Sequence, residues 1–183
     1  MSSITKSAKP KICRICKTKF QPERKLQFVC SYLCSCAYSN QLKQKAEKKA
    51  HKEALIRLKT RTQWLKEAQT IFNRYIRIRD INRSCISCNK PMRKKINAGH
   101  FKSVGAHPEL RFDENNVHGQ CEHCNSFLSG NILNYRKYLM EKIGIHELER
   151  IEGHNDAKHY TISDIKDIIS TYKAKIKELS CKN

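Results

Sequence analysis

Cysteines, histidines and asparagines carry the chemistry that this sequence can do. Eight of its ten cysteines fall into four pairs: Cys13 with Cys16, Cys30 with Cys34, Cys85 with Cys88, and Cys121 with Cys124. Thiolates with two or three residues between them can grip one ion from a tight turn, and two such pairs complete a tetrahedron. The first quartet has 13 residues between its pairs and the second has 32. Two structural Zn²⁺ ions are therefore expected, one per quartet. A four-thiolate site is closed, so zinc there braces the chain and leaves no position for substrate. Cys36 and Cys181 are left over. Cys36 lies close enough to compete as a ligand, and Cys181 reads as a free thiol.

Catalysis would then have to come from residues between and beside the pairs of the second quartet. His100, His107, Asn116 and His118 lie between them, and Asn125 directly follows Cys124. Hydrolysing a phosphodiester needs a base to activate water, and histidine can be that base near neutral pH. It also needs a divalent ion on the scissile phosphate, for which an amide oxygen or a carboxylate is a suitable hard ligand. The expected assignment makes His100 the base. Asn125, with His100 beside it, would seat a catalytic Mg²⁺ or Mn²⁺, and Asn116 would orient the histidine or pin its loop. The bland alternatives are an ordinary strand histidine, a helix cap and a turn residue. His118 and His123 read as supporting or exposed residues, and His107, before Pro108, as part of a turn. Asp113 and Glu114 read as surface carboxylates, with approach to the metal as the alternative. His154 and His159 read as a polar loop.

The charge says what such a site would act on. Lys and Arg total 37 against 17 Asp and Glu, a net charge of +20. Phosphate backbones are the usual reason for so large an excess. Residues 1 to 60 hold 15 of the basic residues and 3 of the acidic ones, so the N-terminal third is the densest anchor. The start of the chain has positive charge but no apolar signal core, and no apolar run approaches a membrane span. The expectation is a cytoplasmic protein with no membrane partner, its thiols reduced.

These side chains need elements to position them. Residues 1–36 read as a four-cysteine zinc module, too short to bury a core without the metal. Residues 37–60 lack Gly and Pro and read as an exposed basic helix. Residues 61–183 read as the catalytic domain. Within it, Trp64, Ala68, Ile71, Phe72, Tyr75 and Ile76 share a helical face, with Arg74, Arg77 and Arg79 mostly off it and able to touch phosphate. Cys85 to Cys88 reads as a hairpin turn, His100 and Phe101 as a short strand, and Lys102 to Asp113 as loop. Helices follow over 132–143, near 145–151 and over 163–179, the last opened by Thr161 with Asp164. The fold class is small α+β.

The segments AGHF, HPELRF, NNVHGQCEHCN and SGNILNYR, with the N-terminal cysteines, the basic helix and HYTISDIK, resemble the phage NinG (Rap) recombination endonuclease family over nearly the whole chain. Such proteins are similar to HNH, or ββα-metal, nucleases braced by zinc on four cysteines, and to the endonuclease VII group of junction resolvases. The resemblance implies an HNH-like core. It implies metal-dependent endonuclease action on branched DNA (Holliday junctions and D-loops) in a phage-infected bacterial cytoplasm. Partners among phage or host recombination proteins, and a homodimer offering two active sites, would suit that role. The HNH histidine maps to His100, the central asparagine to Asn116 and the metal-binding asparagine to Asn125. The pattern departs at Gly99, where many HNH sites carry an acidic ligand, and at Phe127 and Leu128, where a helix histidine or lysine is common. Asn131 is a further candidate there. Two other classes fit the same residues: a non-catalytic zinc protein that binds nucleic acid, and an HNH enzyme cutting duplex at a fixed sequence.

Overall fold

In the computed structural model, residues 9–92, 95–153 and 156–181 are described. The chain divides into two compact units, residues 1–59 and 60–183. The architecture is mixed: mostly helix, with two small antiparallel sheets.

The first unit holds a two-residue hairpin, β1 (Lys11–Ile12) with β2 (Lys19–Phe20), and one long helix, α1 (Tyr32–Arg57). The helix begins inside the span assigned above to the zinc module. Ser31 caps it, its side chain accepting the Cys34 N–H at 3.3 Å. Cys34 and Cys36 therefore sit in its opening turns. No residue of α1 is buried. Its stability rests on good helix formers such as Ala, Lys, Gln and Glu rather than on a packed face.

The second unit starts with α2 (Arg61–Arg79), opened by a reciprocal capping box between Thr60 and Gln63. Its buried face is Trp64, Ala68, Phe72, Tyr75 and Ile76. That face packs on Ile165, Ile169 and Tyr172 of α5 (Ile162–Cys181), with Phe112, Val117 and Tyr160 closing the cluster. Phe72 meets Tyr172 edge-on at 4.8 Å and Phe112 at 5.7 Å. Thr161 and Asp164 exchange backbone-to-side-chain bonds and open α5 as expected.

Between the helices runs a hairpin of β3 (Ile96–His100) and β4 (Val117–Cys121), with Gly99 opposite His118 and His100 opposite Val117. Side chains alternate across it. Ala98 and Val117 pack with the α2–α5 core. Gly99, His118 and Gln120 face the other way, toward Tyr135 of α3 (Ile132–Ile143). A second core lies there, with Tyr135, Leu139, Phe101 and Leu110 joined by Leu148 and Ile151 of α4 (Ile145–Glu152). The segment expected as loop carries one 3₁₀ turn, Pro108–Leu110.

Arg79 departs from its expected role. It lies one turn beyond Tyr75, and so on the core face. Its guanidinium grips Asp80 at 2.8 and 2.9 Å and also donates to the Val117 and Glu114 carbonyls. It is therefore committed to the fold and not to phosphate, whereas Arg74 is exposed. His159 is exposed, and His154 lies outside the described residues. No described helix is long and apolar enough to cross a membrane.

Candidate zinc sites and active-site pocket

The two cysteine quartets are each assembled. Cys13, Cys16, Cys30 and Cys34 bring their sulfurs within 4.8 Å of one another, as do Cys85, Cys88, Cys121 and Cys124. A tetrahedron with Zn–S near 2.3 Å sets its sulfurs about 3.8 Å apart. The Cys30–Cys34 pair stands at 3.7 Å, Cys88–Cys121 at 3.9 Å and Cys16–Cys30 at 3.4 Å. The donor set and spacing fit zinc. Cys36 and Cys181 belong to neither group.

One backbone device builds the first half of both sites. After Cys16, Lys17 takes a left-handed φ of 62°, and after Cys88, Asn89 takes 51°. In each turn that residue's N–H returns to the carbonyl of the first cysteine, Lys17 to Cys13 at 3.1 Å and Asn89 to Cys85 at 2.9 Å. The first cysteine's N–H then reaches the carbonyl five residues on, Thr18 or Lys90. The backbone thus closes the knuckle and turns both thiols inward. Backbone N–H groups also aim at sulfur, Cys121 to Cys85 Sγ at 3.3 Å and Cys124 to Cys121 Sγ at 3.4 Å. Burial pushes the Cys13 thiol up, but N–H donors from Cys16, Ile15 and Cys30 outweigh it and hold the thiol at about 6. Such donors suit a metal-bound thiolate. Asn131 joins this support, donating from Nδ2 to Cys124 Sγ at 3.6 Å.

Next to the second quartet, and reached from it by Asn125, is an open pocket of about 450 Å³. His100, at the end of β3, and Asn125, just past Cys124, both line it, together with Lys102, Ser103, His107 and Ser129. The zinc knuckle thus carries Asn125 to the strand that carries His100. Asn125 stands in a five-residue π-helical turn, His123–Phe127. Its only side-chain bond among the described residues is a long one from Nδ2 to Ser126, leaving its amide oxygen uncommitted.

His100 is held by its own loop. Nε2 lies 3.3 Å from the Arg111 carbonyl. Burial pulls the ring's pKa below the ordinary histidine value, against hydrogen bonds to the Arg111 and Ala98 carbonyls that favour its charged form. A neutral imidazole can accept a proton, which is what a base must do.

Asn116 is buried and does not line the pocket. Its Oδ1 accepts the Lys102 N–H at 2.8 Å, and its Nδ2 donates to the carbonyls of Lys102 and Leu110, both at 3.1 Å. It ties both ends of the loop between His100 and Arg111, so it positions rather than reacts. His118 is buried and neutral beside Tyr135. His123 is exposed, near Phe127.

Neither Asp113 nor Glu114 enters the pocket. Asp113 pairs with Arg150 and caps the Asn115 N–H. Glu114 accepts from Tyr75, Tyr172 and Lys175 at the edge of the α2–α5 core. Gly99 also has a physical reason. A Cβ there would overlap the Gln120 side chain, whose amide donates to Ser87 Oγ and the Gly130 carbonyl. A side chain at 99 has no room, and it would face away from His100 in any case. Among the described residues the pocket therefore contains no carboxylate. Among the lining side chains Asn125 offers the hard amide oxygen that Mg²⁺ accepts, so a divalent ion there would draw most of its shell from water and phosphate.

Sequence reading missed two contributors. His107, read as a turn residue, lines the pocket with its ring against Glu109. Gln120 fills the space beside Gly99. A His-Pro-Glu turn and a strand glutamine are both too common to signal this.

The chain matches the family model described as Bacteriophage Lambda NinG protein over residues 5–182. It is 35% identical over 182 residues to Protein ninG of Salmonella phage P22, covering 90% of each chain. It is 34% identical over 182 residues to Protein ninG of Escherichia phage lambda, covering 90% of this chain and 89% of that one. It is 34% identical over 185 residues to Protein ninG of Escherichia phage 933W, covering 91% and 92%. No solved structure matches. With two assembled cysteine quartets and a family match across nearly its whole length, the chain belongs to the NinG family.

Proposed function

We propose that this protein is a DNA endonuclease of HNH type that hydrolyses phosphodiesters at branched recombination intermediates such as Holliday junctions and D-loops. One observation carries the reading: His100 and Asn125 line a single open pocket braced by the second cysteine quartet. The order hairpin, zinc knuckle, helix supports it, as does the net charge of +20.

In this reading His100, neutral and fixed against Arg111, takes a proton from the attacking water. The hydroxide adds to phosphorus and the bond to the 3′ oxygen breaks, leaving a 5′ phosphate. Lys102, at the pocket wall, offsets phosphate charge. Asn116 keeps the loop that holds His100 in place. A divalent ion, Mg²⁺ or Mn²⁺, would polarise the phosphate when bound. Asn125 would hold it, with water and the DNA itself completing the shell.

The pocket's lack of a carboxylate favours one second reading, a zinc-stabilised protein that binds nucleic acid without cutting it. A labelled four-way junction and a matched duplex, each with wild type and His100→Ala, separate the readings. Wild type should cut the junction when Mg²⁺ or Mn²⁺ is added, and the variant should bind it but cut at least about 100-fold more slowly. Binding without cutting by wild type under every divalent ion would leave only the second reading. Cuts at one sequence in the duplex would instead indicate a sequence-specific nuclease.

A further inference from the structure

The pocket holds a second histidine in a setting unlike that of the first. His107 lines the same cavity as His100 and Asn125. Its Nδ1 lies 3.0 Å from Glu109 Oε1, and Glu109 is itself largely covered, 11% exposed in its side chain. Among the described residues the ring's other nitrogen has no hydrogen-bond partner, and the side chain remains 31% exposed. One face of the imidazole is thus fixed by a carboxylate while the other is open.

The loop around it is built to hold this ring still. His107 N–H donates to the Ser103 carbonyl at 2.8 Å, and Leu110 N–H returns to the His107 carbonyl at 3.1 Å. Tyr160 donates its hydroxyl to the Glu109 carbonyl at 3.1 Å. Asn116 clamps Lys102 on one side and Leu110 on the other. A loop of this length serving only as a connection would not need a buried asparagine across its neck.

Hydrolysis leaves a problem that His100 does not solve. The departing 3′ oxygen carries negative charge as its bond to phosphorus breaks, and an alkoxide is a poor leaving group. A carboxylate-held metal would absorb that charge, but no carboxylate lines this pocket among the described residues. A positioned acid can do it by giving up a proton. The two part-buried histidines have different partners: His100 rests against the Arg111 carbonyl, whereas His107 is backed by the Glu109 carboxylate, which holds the ring with Nε2 left to donate.

We propose that His107, held by Glu109, is the proton donor to the leaving 3′ oxygen; this rests on the endonuclease reading above. Water attacks phosphorus and gives its proton to His100. The bond between phosphorus and the 3′ oxygen breaks, and that oxygen takes the Nε2 proton of protonated His107. The products are a 5′ phosphate and a 3′ hydroxyl, with both rings returned to their starting states by exchange with water.

The test changes the leaving group. Cut positions are first mapped on a four-way junction with wild type and Mn²⁺, which tolerates sulfur. The same junction is then made with sulfur in place of the 3′ bridging oxygen at that bond, because a thiolate leaves without a proton. His107→Gln should cut the oxygen substrate about 100-fold more slowly than wild type and the sulfur substrate at nearly the wild-type rate. Glu109→Gln should show the same pattern, about 10-fold on oxygen. His100→Ala should be slow on both. An equal defect of His107→Gln on both substrates, or none on either, overturns the assignment while leaving the endonuclease reading intact. A wild type that cuts neither junction overturns both.

Discussion

His118 shows what burial does to one residue of the hairpin. It stands on β4 opposite Gly99, 2% exposed, with Nδ1 3.4 Å from the Tyr135 hydroxyl. Burial drives its pKa from 6.5 to about 3, helped by the nearby charges of Lys142 and Arg79. The folded chain thus refuses a proton that the unfolded chain accepts. The stability tied to this neutral ring is complete above pH 6.5 and is lost as pH falls from there toward 3. Within that window the slope approaches about 1.4 kcal/mol per pH unit. Urea unfolding between pH 7 and 5 should therefore be steeper in pH for wild type than for His118→Gln, which cannot titrate. Equal slopes would mean that His118 is not held neutral. The same burial makes His118 a poor metal ligand for substrate chemistry, because it does not line the pocket that holds His100 and Asn125.

At the scale of elements, an ion pair at the end of α2 is hydrogen-bonded to the backbone of β4, Arg79 to the Val117 carbonyl and Asp80 to the Gly119 N–H. Asp80 caps α2, receives both prongs of Arg79, and accepts the Gly119 N–H at 2.8 Å. Burial alone would raise the Asp80 pKa, but Arg79 and the Gly119 N–H outweigh it and hold the carboxyl below the usual value. The approach is close: a Cβ at Gly119 would come within 2.8 Å of Asp80 Cβ. Removing one member of a buried pair strands the other, at a cost of about 3 kcal/mol or more. Asp80→Ala should lower unfolding free energy by that amount, and a loss under about 1 kcal/mol would show that the pair does not join the elements. This joint was not legible in the sequence, whereas the helix it anchors was. Apolar spacing marked α2 and α5 because burial repeats every turn, and the Thr161–Asp164 cap marked where α5 starts. The paired cysteines marked both metal sites, because metal geometry fixes their spacing. Arg79 was misread because its partners Glu114 and Val117 are distant in sequence, which periodicity does not report; His107 is the turn residue expected, but where that turn lies, against the pocket, is set by the fold. Gly99 read as a missing ligand until Gln120 was seen to fill the space beside it.

At the scale of the whole molecule, charge and helix α1 meet in one argument. A helix of 26 residues with no buried residue must have some use for its surface. Its composition gives it no apolar stripe to dock on another protein, but Lys43, Lys45, Lys48, Lys49 and Lys52 are all exposed along it. At about 1.5 Å per residue the helix is about 39 Å long, comparable with one turn of duplex. Each phosphate that such lysines neutralise releases a counterion, so log K falls against log salt with a slope of about 0.9 per contact on duplex DNA. Changing Lys45, Lys48, Lys49 and Lys52 together to Gln keeps good helix formers and removes four charges, so α1 should persist by circular dichroism. If α1 lies on DNA, junction affinity at low salt should fall and the salt slope should lessen by about 2 to 4. Cleavage at saturating protein should stay near wild type, because none of these lysines belongs to the unit that carries His100 and Asn125. An unchanged slope would make α1 a solvated spacer and move the phosphate contacts to the second unit. A slower cut at saturation would instead mean that α1 also sets the branch in the pocket, a role beyond adding affinity.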